Sequence, residues 1–136
     1  MTYTDPAAVA AIADVIEAEQ NYVFAAGLAG AFLKGGGRRR AVNQLAEHRA
    51  QVQTASLMID SSAVPQTPPG FEPPTPITDA KSARDSLAEL SNALVGFYAN
   101  IAAVTEGDDR RWAIASAQAS ARDAIQWGAA SQAFPT

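Results

Sequence analysis

The chain has 136 residues, the size of one domain, and its net charge of −4 with a sequence pI near 4.8 argues against a nucleic-acid surface. It contains no cysteine, which excludes disulfides, thiolate catalysis and sulfur-ligated zinc. Alanine is the commonest residue, with 31 copies, and it is the strongest intrinsic helix former. We therefore expect a single all-α domain spanning residues 1–136.

The N-terminal sequence and the apolar segments predict the cellular location. The first ten residues lack the basic start and apolar run of a secretory signal, and the apolar stretch Tyr22 to Leu33 is about half the length of a membrane-spanning helix. We expect a cytoplasmic protein with neither a membrane nor nucleic acid among its partners. An alanine-rich core buries little apolar area, so we also expect a homodimer.

Two helices are predicted in the first 60 residues. Asp5 and Pro6 are typical of a helix start, and helix 1 is expected to run to about Lys34, where the glycines at 35–37 would stop it. Helix 2 is expected from about Arg38 to Asp60. The "KGGGRRR" segment between them fits a solvated turn, with a phosphate site at the helix start as the alternative.

A carboxylate and an imidazole interrupt the apolar faces of these helices. In helix 1, Glu19 falls within the stripe Val9, Ile12, Ile16, Val23, Ala26, Gly30 and Leu33. In helix 2 the chain's only histidine, His48, falls within the stripe Ala41, Leu45, Val52, Ala55 and Ile59. A short turn makes the two helices antiparallel neighbours, so Glu19 and His48 are expected to meet in the core.

The segment from about 61 to 79 holds six of the eight prolines, which exclude a helix or a central strand. Its extended length matches that of a helix of about 23 residues, so it can cross the full side of a bundle. A disordered linker is one alternative, and recognition of "PPGFEPPTP" by a proline-binding partner is another. Apolar residues at Val64, Phe71 and Ile77 favour a packed connector.

Two further helices follow the connector. Helix 3 is expected to begin at Thr78 or Asp79 and to bury the stripe Ala83, Leu87, Leu90, Leu94, Phe97, Ile101 and Val104. After a break at Gly107, helix 4 is expected from about Asp108 to Ala130. Its apolar stripe is weaker and consists of Ile114, Ala117, Ala121, Ile125 and Gly128. No segment has the alternating pattern of a strand.

The element order resembles a known group of proteins. Two antiparallel helical hairpins joined by a long proline-rich crossover between helices 2 and 3 is the connectivity of ferritin-like four-helix bundles. With Glu19 followed by Tyr22, "EHRAQ" in helix 2 and the ending "SARDAIQWGAASQAFP", the sequence resembles an alanine-rich bacterial ferritin-like domain family of unknown function. The resemblance implies the four-helix fold and a dimer, and it implies no established activity.

The resemblance also implies a test for metal ligands. Active ferritin-like proteins hold two metal ions with one Glu from each of two helices and a Glu-x-x-His from each of the other two. Glu19 and His48 match two of those ligands, but Leu45 stands where helix 2 would supply its Glu, and helix 4 has no histidine. We expect no functional di-metal centre and no cofactor; iron or manganese at Glu19 and His48 is the alternative.

Without metal, Glu19 needs a hydrogen-bonding partner, because an unpaired buried charge is costly. The expected polar core cluster, a relic of a metal site, consists of Glu19, Tyr22, His48, Tyr98, Arg122 and Asp123. No catalytic residues are expected. The function predicted from the sequence is therefore a structural or interaction module. A metal-binding oxidase or store and a carrier of an apolar ligand are the alternatives.

Overall fold

The computed structural model describes residues 2–128, and among these residues it contains four α-helices, one short 3₁₀ turn and no β-strand. The helices are α1 (Pro6–Gly30), α2 (Gly35–Ser56), α3 (Ala80–Val104) and α4 (Gly107–Gln126), and the 3₁₀ turn is Ser61–Ala63. The prediction of an all-α fold with four helices is confirmed.

Two helix starts lie at the predicted residues. The Asp5 side chain accepts a hydrogen bond from the Ala8 amide at 3.2 Å, and Pro6 occupies the first turn of α1. Asp79 begins α3 with a reciprocal capping box, in which its Oδ1 accepts from the Ser82 amide at 2.8 Å and Ser82 Oγ accepts from the Asp79 amide at 3.0 Å. These side chains satisfy backbone donors that have no partner inside the helix.

The α1–α2 turn differs from the prediction. The glycines at 35–37 do not end helix 1; they form the first turn of α2, and α1 ends earlier, at Gly30. Gly35 reverses the chain with a φ of 53°, which only glycine adopts at little cost. The Arg38 guanidinium donates from Nε to the Gly30 carbonyl at 2.9 Å, so this arginine helps to close the end of α1.

Side-chain pairs define the directions of the helices. The pairs Glu19–Tyr98 and Tyr22–Ser91 show that α1 and α3 are antiparallel, since one residue number rises as the other falls. By the same reasoning, the hydrogen bonds that join Gln44 to Trp127 and Gln51 to Ser116 show that α4 runs antiparallel to α2. The most extensive packing is within the pairs α1–α2 and α3–α4, followed by α1–α3.

The buried face of α4 is not the predicted one. Ile114 and Ile125, both assigned to its core stripe, are 44% and 49% exposed. The helix instead buries small side chains, namely Ala113, Ser116, Ser120 and Ala124. Small side chains allow close approach of the helices, and two of the serines carry hydroxyls into the interior. The prediction failed because it selected the largest apolar residues as the core face.

The connector between α2 and α3 packs against the bundle. Gln20 Nε2 donates to the Pro65 carbonyl at 3.2 Å, and Thr75 Oγ1 donates to Glu89 Oε1 at 2.6 Å. Ile77, near the start of α3, is buried with 8% exposure. These contacts attach the connector to the middle of α1 and to the first half of α3.

One helix among residues 2–128, α3, is long and apolar enough by length and composition to cross a membrane. It is longer than the apolar stretch Tyr22 to Leu33, from which no membrane-spanning helix was expected. Core helices of bundles meet the same criterion, and α3 packs here against α1 and α4.

Candidate functional site

The carboxylate of Glu19 lies at the centre of the bundle with no solvent exposure. His48 on α2 contacts it through Nδ1, at 2.5 Å from Oε1, and the Tyr98 hydroxyl on α3 donates to Oε2 at 2.5 Å. Both oxygens of Glu19 therefore have a partner on a different helix. The predicted contact between Glu19 and His48, the polar residues within the apolar stripes of helices 1 and 2, is present in the structure.

The His48 imidazole lies between two carboxylates. Its Nε2 is 3.8 Å from Asp123 Oδ2 on α4, and its ring stacks on Tyr22 with centroids 4.0 Å apart. Burial by itself lowers the pKa of His48, but the interactions with Asp123 and Glu19 outweigh it and raise the pKa to about 9. The raised pKa favours the protonated imidazole, which pairs with the carboxylates on either side of it.

Two tyrosine hydroxyls stay protonated in this site. Burial raises the pKa of Tyr98 above its ordinary value, and the charge of Glu19 raises it further. Burial likewise raises the pKa of Tyr22, although hydrogen bonds partly offset this effect. Tyr98 can therefore act as a permanent donor to Glu19.

A glutamine adds a second layer of hydrogen bonds around Tyr98. Gln51 Nε2 donates to the Tyr98 hydroxyl at 2.9 Å and to Ser116 Oγ at 2.8 Å. Its Oε1 accepts from Trp112 Nε1 at 3.3 Å, and the Trp112 ring packs edge-on against Tyr98. Gln51 thus joins α2 to both α3 and α4.

A second glutamine does the same around Tyr22. Gln44 Oε1 accepts from the Tyr22 hydroxyl and from Trp127 Nε1, the latter at 2.9 Å. Ser91 Oγ on α3 donates to the Tyr22 hydroxyl at 3.2 Å. Neither glutamine is among the residues predicted for the site. Their spacing around His48, at positions 44, 48 and 51, follows the four-and-three period of a buried helix face and could have revealed them.

Of the six residues predicted for the polar core cluster, five lie together: Glu19, Tyr22, His48, Tyr98 and Asp123. Arg122 does not join them. It is exposed, because the buried face of α4 is rotated from the predicted one.

An open cavity of about 250 Å³ lies beside His48, between α2 and α4. Its polar lining includes Glu19, Glu47, His48, Ser120 and Asp123. No group of three or more His, Cys, Asp or Glu side chains within residues 2–128 is arranged to hold a metal ion. The cavity therefore reaches the ion pair without presenting a recognisable set of ligands.

We predict that Gln44→Leu lowers the free energy of unfolding by about 2–4 kcal/mol, because Tyr22 and Trp127 then lose a shared buried acceptor. Urea denaturation measures the loss. The matched control is Gln53→Leu, at an exposed position of the same helix, which should change stability by less than about 0.5 kcal/mol. Equal effects of the two substitutions would contradict the assigned role of Gln44.

Comparisons with known proteins agree with this fold. A family model described as "Domain of unknown function (DUF4439)" matches residues 11–136. A solved structure, that of the conserved hypothetical protein Rv2844 from Mycobacterium tuberculosis, is similar with a TM-score of 0.83 and 22% identity. The match covers 92% of this chain and 97% of that one, and at this identity it shows the fold alone. No curated protein matches the chain.

Proposed function

We propose that this chain, which belongs to the DUF4439 family of domains of unknown function, is a ferritin-like bundle that acts as a structural or interaction module. In this proposal an internal ion pair with its hydrogen bonds replaces a di-metal centre. One observation carries the proposal: both oxygens of the buried Glu19 carboxylate are bonded to protein groups, His48 and Tyr98.

The helix directions support the ferritin-like assignment. α1 and α2 are joined by a short turn, as are α3 and α4, and the connector from 57 to 79 joins two helices that run in the same direction. A long crossover between two hairpins is the arrangement of ferritin-like bundles.

The chemistry of the donors supports a function without metal. An imidazole binds a metal through a nitrogen lone pair, and both ring nitrogens of His48 already face carboxylates, Glu19 at Nδ1 and Asp123 at Nε2. Leu45 and Leu94, at mid-length of α2 and α3, supply no anionic oxygen. The described residues do not fit the ligand set of a di-metal centre.

Exposed apolar side chains support the proposal that the chain forms a homodimer. Ile114 and Ile125 lie about three turns apart on the outer face of α4 and are 44% and 49% exposed. Such a helix face is suited to packing against a second helix surface. We propose that a second copy of the chain, in the cytoplasm, supplies the additional buried area.

A metal-binding oxidase or store that uses Glu19 and His48, with iron or manganese, is the second candidate. It is favoured by the cavity beside His48, where Glu47 and Asp123 supply further carboxylates. Displacement of the proton from His48 would be required before metal could bind.

Elemental analysis of the purified protein separates the two candidates. The module hypothesis predicts substoichiometric iron, manganese and zinc, and light scattering at about twice the chain mass of 14.2 kDa. A stoichiometric metal that is lost in Glu19→Gln and His48→Gln, and kept in the exposed control Glu89→Gln, would establish the metal site instead. A monomer at micromolar concentration would contradict the proposed homodimer and leave the rest of the proposal unchanged.

A further inference from the structure

A second cavity, here called the connector groove, is lined by residues other than those of the cavity beside His48. It is bounded by α1, α2 and the connector, and has a volume of about 450 Å³. Its lining is mostly apolar and includes Phe24, Leu28, Leu45 and Pro68. This volume is within the range of small-molecule sites.

A buried amide without a complete set of partners lies in the wall of the groove. Gln20 is 9% exposed, and its Nε2 donates to the Pro65 carbonyl at 3.2 Å and to Thr67 Oγ1 at 3.4 Å. Its Oε1 is buried and has no hydrogen-bond partner among residues 2–128. Because unpaired buried acceptors are rare in folded proteins, this oxygen indicates that a donor is missing.

A cation borders the same groove. Arg49 on α2 is exposed, and no carboxylate among the described residues forms an ion pair with it. A guanidinium can bind a carboxylate through two parallel hydrogen bonds. The groove thus combines an apolar surface, an acceptor that needs a donor, and a cation that is available to an anion.

From this combination we infer that the connector groove binds a small amphipathic carboxylate that contains an amide N–H, of the chemical class of N-acyl amino acids. The acyl chain covers Phe24, Leu28 and Leu45, the amide N–H donates to Gln20 Oε1, and the carboxylate pairs with Arg49. Since Gln20 Oε1 is covered in the free protein, the groups over it must move for the ligand to reach it. A groove of this size is too small for a stable protein interface, which takes about 20–30 residues a side.

A pair of ligands that differ only at the amide nitrogen tests the role of Gln20. N-octanoylglycine carries the amide N–H, and N-octanoyl-N-methylglycine replaces it with a methyl group. We expect titration calorimetry on the full chain to show binding of N-octanoylglycine, and at least about 10-fold weaker binding of the methylated compound, since the acceptor stays unpaired. Octanoate, which lacks the amide, should also bind at least about 10-fold more weakly.

Protein variants test whether the ligand occupies this groove. Arg49→Gln should weaken binding of N-octanoylglycine about 10-fold, whereas Arg84→Gln, an exposed arginine on α3, should not. Gly27→Leu should abolish binding by filling the groove, since a Cβ at this glycine would lie 3.5 Å from Leu45 Cδ1, an ordinary contact. Gly96→Leu, on an open face of α3, is the control.

Three outcomes would overturn the inference. They are no binding of N-octanoylglycine at millimolar concentration, equal binding of the methylated compound, and binding that Gly27→Leu leaves unchanged. Light scattering on Gly27→Leu adds a fourth outcome: a dimer that dissociates in this variant would assign the groove to contact between copies and exclude the ligand. Retained helicity in circular dichroism shows that a loss of binding does not reflect unfolding.

Discussion

Glu19→Ala is expected to lower the free energy of unfolding by about 3–5 kcal/mol, the cost of breaking a buried pair by removing one partner. The substitution leaves the His48 cation without its closest counter-charge and the Tyr98 hydroxyl without its acceptor. It also leaves a cavity at a position with no solvent exposure. Urea denaturation followed by circular dichroism measures the loss as a shift in midpoint.

The control is Glu17→Ala, because Glu17 lies on the same helix and is exposed. Its effect should stay within about 0.5 kcal/mol. Glu19→Gln keeps the shape of the side chain and removes its charge, so it should destabilise less than Glu19→Ala. A loss below about 1 kcal/mol in Glu19→Ala would mean that the Glu19–His48 pair does not hold the bundle together.

The stability of the protein is expected to fall as the pH rises from about 6.5 to 9. The pKa of His48 is raised to about 9 in the folded chain from an ordinary value of 6.5, so the folded state keeps a proton that the unfolded state releases. The contribution is complete below pH 6.5 and is lost as the pH passes through 9. The loss across this interval is about 3 kcal/mol, at about 1.36 kcal/mol per pKa unit.

Four ionisable side chains face His48 and could contribute to the pH dependence of stability. They are Glu19 and Tyr22 on α1, Glu47 on α2, and Asp123 on α4. The tyrosines with raised pKa values begin to matter only above about pH 10, where the unfolded state ionises. The difference in urea midpoint between wild type and His48→Gln over this interval therefore gives the contribution of the imidazole.

His48→Gln is the control for the pH dependence. It should lower stability at pH 6.5 and remove most of the slope between pH 6.5 and 9. A wild-type stability that stays constant or increases over this interval would show that His48 is neutral in the folded chain.

The helices and the central pair could be predicted from the sequence because each rests on a local rule. Asp5 and Asp79 are capping residues, and their effect depends only on the next three residues. The contact between Glu19 and His48 follows from two stripes and one short turn. The stripes of α1 and α3 contain enough large apolar residues to identify the buried side.

The orientation of α4 could not be obtained in the same way. Its buried face is made of Ala113, Ser116, Ser120 and Ala124, which differ little in polarity from the exposed residues beside them. A rotation of one residue exchanges this face for that of Ile114 and Ile125. The local pattern therefore favours the wrong side, and the packing against α2 and α3 determines the observed one.

The rotation of α4 also determines the surroundings of two residues near the site. With Ser116 and Ser120 facing inward, Arg122 is exposed and Ser116 Oγ accepts from Gln51 Nε2. The two glutamines were not predicted because polar residues on a helix are usually solvated, and their role as acceptors for Trp112, Trp127 and Tyr22 depends on tertiary contacts.

The protonation state of His48 tests the central claim most directly, since it is the chain's only histidine and gives one set of signals. Nitrogen-15 NMR of histidine-labelled protein, titrated from pH 5 to pH 11, reports both ring nitrogens. An internal ion pair predicts that both are protonated at pH 7.5, with a midpoint near pH 9. A midpoint at or below 6.5, with a free lone pair on one nitrogen at pH 7.5, would contradict the account.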